Sequence, residues 1–551
     1  MKSLLCFAAS LCLLPPATAI AAEADNFQPE PGFTLLFNGR DLTGWGYYTG
    51  GQSQSFDGLT SSPDGRYEAK DGMIRVNDRL PRLQQQMATR ESLPANAVVR
   101  MEFRPMQWTD GGVFVRGTQL QVRDFLTVGP YYDLLKHRTQ EWNTLEIYVQ
   151  GPWVFASSNG EVLEPSYRVA LTGGVGFEAD LGVMEFRRIR VKELPAGGPA
   201  LPAAMPAATT RPNLATLNRP IRVAILGDEI AQPFPGAVNG TTPRGGVQLA
   251  DVTARQLAAV RAMVAAPAKA LADVNAARAA VATASLAAPT EIAAKVAALG
   301  EAELVLANQR AAQWAWLQAS SYKLNPAAVA AFLPQANLAP LSGRGSTSVN
   351  GAALPPGRGG APSGPAQFGP PDDLPPRFDL ASNLTRQLGP RWDVRNFAFP
   401  GATVQKGGDS SVWIQPALTA ALDFDPDIVV FVFGTNDSKP ENWRNAAAFE
   451  ADYRALATTF AAGAARPRLF FAKPPPAFTG AGGVDAKLIA GDIPARLDAL
   501  ARTMSATVID LHDAMKDAAN LTLDGVHPDA EGSARIAARV QAALSPLAGG
   551  R

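Results

Sequence analysis

Across residues 28–194, apolar and polar side chains alternate in short runs between Gly-, Asn- and Asp-rich turns. Examples are Val98-Val99-Arg100-Met101-Glu102-Phe103, Gly112-Val113-Phe114-Val115-Arg116 and Thr144-Leu145-Glu146-Ile147-Tyr148-Val149. A period of two puts successive side chains on opposite faces of a strand. Many short strands without a convincing helix predict an all-β sandwich or jelly roll. From residue 220 the pattern changes. Arg222-Val223-Ala224-Ile225-Leu226 is a nearly continuous apolar run that ends in Gly227-Asp228-Glu229. Further apolar runs at 428–433, 469–472 and 507–509 alternate with helical segments, and a last helix is expected over 530–544. Apolar strands alternating with helices predict a parallel sheet covered on both faces, a three-layer α/β domain over 220–548.

That second pattern is interrupted. Residues 248–320 are strongly helical, with Leu257, Val260, Val264, Leu271, Val274 and Val281 at heptad a and d positions and Pro267 set to kink the helix. Pro289-Thr290 marks a turn, and Ile292, Val296, Leu299, Leu306 and Leu317 continue the spacing. An antiparallel helical hairpin follows, whose outer face offers a surface for self-association. Residues 338–376 are rich in Gly, Pro, Ser and Ala and are expected to be disordered. Residues 195–219, rich in Pro and Ala, read as a linker.

Lys2, the apolar run Leu4 to Leu14, and Ala17-Thr18-Ala19 or Ala19-Ile20-Ala21 read as a signal peptide over 1–21. The run is shorter than the roughly 20 residues that span a bilayer, and no later segment reads as transmembrane. Both cysteines, Cys6 and Cys12, lie inside it, so the mature chain is expected to lack thiol chemistry and to work in the periplasm or outside the cell. Lys+Arg and Asp+Glu are equal at 50 each, which argues against a nucleic-acid partner. No His, Cys or carboxylate cluster has metal spacing and no glycine loop has phosphate-binding form, so no metal or cofactor is expected.

Two resemblances sharpen this. Gly32-Phe33-Thr34-Leu35-Leu36-Phe37-Asn38-Gly39-Arg40-Asp41-Leu42-Thr43-Gly44-Trp45 resembles the opening signature of the 3-keto-disaccharide hydrolase domain family. Lys70-Asp71-Gly72, Glu141-Trp142-Asn143, Ser158-Asn159-Gly160 and Gly174-Val175-Gly176-Phe177-Glu178 follow in order. The resemblance implies a concanavalin-like jelly roll with a sugar-facing concave sheet. The family often shows E-x-Q-x-x-D where this chain reads Gln119-Leu120-Gln121-Val122-Arg123-Asp124, so an amide replaces the leading carboxylate. An amide hydrogen-bonds a hydroxyl but is neither acid nor base at neutral pH. Arg116, Gln119, Gln121 and Trp142 are the expected sugar contacts.

The blocks Gly227-Asp228-Glu229, Pro400-Gly401-Ala402, Gly434-Thr435-Asn436-Asp437 and Asp524-Gly525-Val526-His527 resemble, in order, those of the SGNH (GDSL-type) hydrolases, a flavodoxin-like α/β family. The resemblance implies His527 as base, Asp524 as its orienter, and Gly401 and Asn436 as oxyanion donors. Glu229 stands where the family has its nucleophilic serine. A glutamate there is expected to ion-pair with His527 and to put negative charge where an oxyanion must form. Gly408-Asp409-Ser410 also reads G-D-S but follows a loop, not a buried strand. Of the other histidines, His512 is expected in a loop and His137 on the surface of the β domain. The expected function is an exported hydrolase acting on a glycoside (3-keto type) or an acylated glycan. The alternative is a non-catalytic glycan-binding protein with a retired esterase site.

Overall fold

The computed structural model describes residues 27–49, 52–77, 86–106, 109–124, 134–196, 202, 211–232, 254–283, 291–303, 305–306, 348–349, 352–353 and 379–549. The expected signal segment lies outside these residues, as does the low-complexity stretch apart from the short pair Ser348–Val349 and Ala352–Ala353.

Residues 32–193 form two layers of mostly antiparallel sheet, a jelly-roll-like body. Eight strands make one layer, in the order 161–168, 153–158, 143–150, 96–105, 184–193, 73–76, 67–70, with 34–35 also beside 184–193. Six make the other, in the order 52–55, 45–49, 86–89, 175–181, 110–115, 118–123. The period-two pattern explains the packing. Trp45, Met87, Val113, Val115, Leu120, Val122 and Phe177 point from the six-stranded sheet into a shared core with Met101, Phe103, Leu145 and Phe186 of the other layer.

The outer face of the eight-stranded sheet is apolar as well. Val98, Tyr148, Phe155 and Val162 join a second core with Phe397, Ala417, Ala420 and Phe424 of the α/β domain. Lys136 reaches Asp393 at 3.1 Å and Ser166 reaches Gln415 at 3.0 Å across the same seam. Gly160 lies there at φ +80°, and a Cβ on it would stand 2.8 Å from Arg395 Nε, so glycine serves both the turn and the docking.

The α/β domain has a five-stranded parallel sheet in the order 392–396, 221–227, 428–432, 468–473, 507–510. In chain order that is 2-1-3-4-5, the flavodoxin-like arrangement. Ile428–Val432 is buried at every position, as a central strand covered on both faces requires. One face packs on helices 416–423, 446–461 and 492–504, and the other on 380–388 and 530–544.

Several expectations need correcting. Residues 211–219 are not free linker: Leu214 is buried, and Arg391 donates to the carbonyls of Leu214, Ala215, Leu217 and Arg219. In the inserted hairpin the first helix spans Ala254–Ala282, with Pro267 inside it. Its seam is Ala270 and Val274 against Leu299, Ala302 and Leu306, closed by an Arg278–Glu303 ion pair. Leu271 and Val296, expected on the seam, face outward. Alanine permits that closer register because it has no side chain beyond Cβ. His137 is buried and lies against Phe103, and His512 sits in the helix Leu511–Met515.

Candidate active site

The carboxyl ends of the parallel strands converge where strand order reverses, the usual ligand position in open α/β sheets. Strand 221–227 delivers Asp228 and Glu229 there. Gly227 must be glycine, because a Cβ on it would lie 2.3 Å from the carbonyl oxygen of Val432. Strand 392–396 leads to Gly401, held at φ +84°. Strand 428–432 leads through Gly434, at φ +125°, to Asn436. The loop before the last helix supplies Asp524 and His527.

These residues meet around one carboxylate. Glu229 is 3% exposed. Its Oε2 accepts from the Gly401 backbone N–H at 2.8 Å and from the Asn436 amide at 2.7 Å. Its Oε1 lies 3.5 Å from His527 Nε2. On the other side of the ring, His527 Nδ1 is 2.6 Å from Asp524 Oδ2. Asp524 is itself fixed, accepting from the backbone N–H groups of Val526 and His527.

Electrostatics follow from these contacts. Burial opposes the charge on Glu229, but His527, the Gly401 N–H and the Asn436 amide outweigh it and hold the carboxyl below its ordinary range. Burial likewise opposes charge on His527, yet Glu229 and Asp524 raise the imidazole to about 9. At neutral pH the ring is an imidazolium between two carboxylates, with both nitrogens donating. Asp228, fully buried beside Glu229, is pushed well above the carboxylate range by burial and by that neighbouring charge.

Residues not singled out as site residues hold the frame. Asp437 accepts from the backbone N–H groups of Val404 and Gln405, tying the Gly401 loop to the Asn436 loop. Asn442 donates to the Asn436 carbonyl oxygen, and Thr479 donates to that of Asp524. Asp437 stands directly after Asn436, so its position was a usable signal. Asn442 and Thr479 carried none, because their contacts depend on how separate loops close. The Ser410 hydroxyl borders the pocket, 3.6 Å from where a Cβ on Gly401 would sit.

An oxyanion hole works when its donors lie about 2.7–3.1 Å from the developing oxyanion. Glu229 Oε2 fills that position itself. The pocket can bind a carboxylate and share a proton with an imidazole. Arranged in this way, it cannot offer a free base or an empty donor pair to an ester.

In the β domain the four expected sugar contacts do not form one constellation. Arg116 sits at φ +49° and donates to the carbonyls of Gly151, Ala170, Pro94 and Ala95. It is a staple between strand ends, not a sugar contact, because its fork is committed to backbone. Trp142 is half-buried beside the eight-stranded sheet, with the Arg104 and Arg187 guanidinium carbons 4.7 and 4.0 Å from its ring centroid. It belongs to the other layer from Gln119 and Gln121 and already carries cations on its π-system. The two glutamines do lie together, on the six-stranded sheet's face away from the core. Gln119 donates to Glu178 at 2.8 Å and Gln121 to the Gly111 carbonyl at 3.1 Å. Among the described residues no group of His, Cys, Asp and Glu could hold a metal ion, and no helix is long and apolar enough to cross a membrane.

Residues 32–192 match the family model of the 3-keto-alpha-glucoside-1,2-lyase-like domain, and residues 363–535 match that of the GDSL-like Lipase/Acylhydrolase family. An acetylxylan esterase of Xylanibacter ruminicola is 30% identical over 190 residues, covering 31% of this chain and 40% of that protein. The chain thus spans two fifths of that relative's length. Among solved structures, Est24, a carbohydrate acetylesterase from Sinorhizobium meliloti, is 18% identical with a TM-score of 0.28, over 32% of this chain and 87% of that one. A lipase/acylhydrolase from Enterococcus faecalis is 20% identical with a TM-score of 0.25, over 30% and 84%.

Proposed function

We propose that this chain is an exported carbohydrate-acting hydrolase in which the β domain cleaves a glycoside of the 3-keto type. The α/β domain keeps the frame of a glycan-ester hydrolase, with Glu229 standing where an attacking hydroxyl would stand. One observation carries this division: Glu229 Oε2 lies 2.8 Å from Gly401 N and 2.7 Å from Asn436 Nδ2. Ester hydrolysis by a serine-type site needs a hydroxyl, a neutral imidazole and open oxyanion donors. Glu229 removes all three. The likeness to an acetylxylan esterase favours an acylated glycan as the substrate class of the ancestral frame.

The test is turnover by the full chain of an α-linked 3-keto-glucoside and of acetylated xylan. Sugar release from the first without acetate release from the second is expected. Acetate release by wild type would overturn the division. Binding of glycan with turnover of neither would leave the non-catalytic reading standing. For export, the N-terminus of the mature protein should lie beyond the segment 1–21, and material retaining Met1 would contradict it.

A further inference from the structure

The amide at position 119 leaves the E-x-Q-x-x-D stretch without its leading carboxylate, yet the sheet brings another to the same place. Strand 175–181 pairs with 110–115, which pairs with 118–123. The register sets Glu178 opposite Gly112, and Gly112 opposite Gln121. Phe114, one position further along the same face, is opposite both Gly176 and Gln119. Phe177, Val113 and Leu120 point into the core, so the alternation sends Glu178, Gln119 and Gln121 to the opposite face.

Gly112 makes the meeting possible. A Cβ there would stand 2.6 Å from Gln119 Nε2 and 2.7 Å from its Cγ. The Gln119 side chain therefore lies across a residue without a side chain and donates to Glu178 Oε2 at 2.8 Å. Any other residue at position 112 would push it aside. Glu178 is 8% exposed and stands on a strand, a rigid support for a group that must be positioned.

We propose that Glu178 is the proton-transferring carboxylate of the β-domain sugar site, supplied across strand 110–115 from the strand beyond it in place of the acid missing at Gln119. This rests on the glycoside reading given above. In a 3-keto-glycoside, the hydrogen on the carbon between the keto group and the anomeric carbon is acidified. Glu178 accepts that proton, and the C–H electron pair moves onto the keto oxygen as an enolate. The enolate pair then forms a carbon–carbon double bond as the glycosidic C–O bond breaks. The departing oxygen leaves with that bond's pair and takes the proton back from Glu178, and water adds to the double bond to complete hydrolysis. Gln119 fixes the carboxylate's orientation through its amide, and that bond survives if acid and amide exchange places.

The exchange is the test. With the full chain and a nitrophenyl α-3-keto-glucoside, E178Q should lose about 100-fold or more in kcat, the usual size of a positioned acid–base contribution. KM should change little. The double variant Q119E/E178Q returns the carboxylate to the pair and should recover to within about tenfold of wild type. E178Q turnover within twofold of wild type would overturn the role of Glu178 alone. A folded double variant no better than E178Q would overturn it too. A wild type inert toward the substrate would instead overturn the glycoside reading, and the role of Glu178 with it.

Discussion

Glu229 and Glu178 are buried carboxylates that each accept a hydrogen bond from a side-chain amide, Glu229 from Asn436 at 2.7 Å and Glu178 from Gln119 at 2.8 Å. Their surroundings separate them. Glu229 has further partners in the Gly401 N–H and an imidazolium, at the convergence of three strand ends. Glu178 lies along the middle of a sheet face, beside the glycine that opens room for its amide partner. Glu229 fills its own site as a bound product would. Glu178 stands on a sheet face, away from any strand end, and is 8% exposed. Burial alone thus does not separate the two carboxylates; their places in the sheets do.

Removing a partner from each should expose the difference. His527→Ala deprives Glu229 of its counter-ion and should cost the α/β domain about 2 kcal/mol, less than the roughly 3–5 kcal/mol of an uncompensated buried charge because Gly401 and Asn436 remain. Gln119→Ala should cost the β domain about 1 kcal/mol, one hydrogen bond. Chemical denaturation of each variant checks the order, and equal losses would break the comparison.

Protonation sharpens it further. The folded protein holds the His527 proton up to about pH 9, against an ordinary value of 6.5. A raised imidazole stabilises the fold fully below pH 6.5 and loses that contribution as pH rises through 9. Glu229 is shifted down from 4.5, so its contribution is present above that value and is lost as pH falls through its lower folded value. Both contributions are full together between about pH 4.5 and 6.5. Thermal unfolding should show an alkaline decline in wild type that flattens in His527→Ala. The same alkaline slope in both would contradict the ion pair.

The smallest expected effect is at Gly112. The three atoms nearest a Cβ at Gly112 belong to the side chains of Gln119 and Phe114, so Gly112→Ala should lower stability by about 1 kcal/mol or less. Turnover of a 3-keto-glucoside should still drop about tenfold, because the Gln119–Glu178 bond is displaced. Unchanged turnover would remove Gly112 from the comparison.

What was legible follows the range of the interaction concerned. The Gly227-Asp228-Glu229 and Asn436 blocks end apolar runs, and the resemblance to the SGNH hydrolases picked out these two together with Gly401 and Asp524–His527. Their convergence around Glu229 is then set by parallel-sheet order. Glu178 was less accessible. Gly176-Phe177-Glu178 shows the alternation that turns it outward, but its meeting with Gln119 depends on register across strands some sixty residues apart, 59 positions for that bond. Arg116 was misread because a cation among strands looks like a ligand contact until four carbonyls are found around it. Leu271 misled for a related reason: heptad spacing finds a seam but not which of two adjacent stripes, Ala270 or Leu271, closes it.

On the proposed reading, Glu229 alone silences an otherwise assembled ester-hydrolysing frame. Acetate release from acetylated xylan by wild type, Glu229→Ser and Glu229→Ser with His527→Ala tests it most directly. Wild type should release none above buffer. Glu229→Ser should release acetate, with recovery limited by about 100-fold if the new hydroxyl sits 1 Å out of place. The double variant should fall back to nothing. Acetate release by wild type, or a folded Glu229→Ser that remains inert, would contradict that reading.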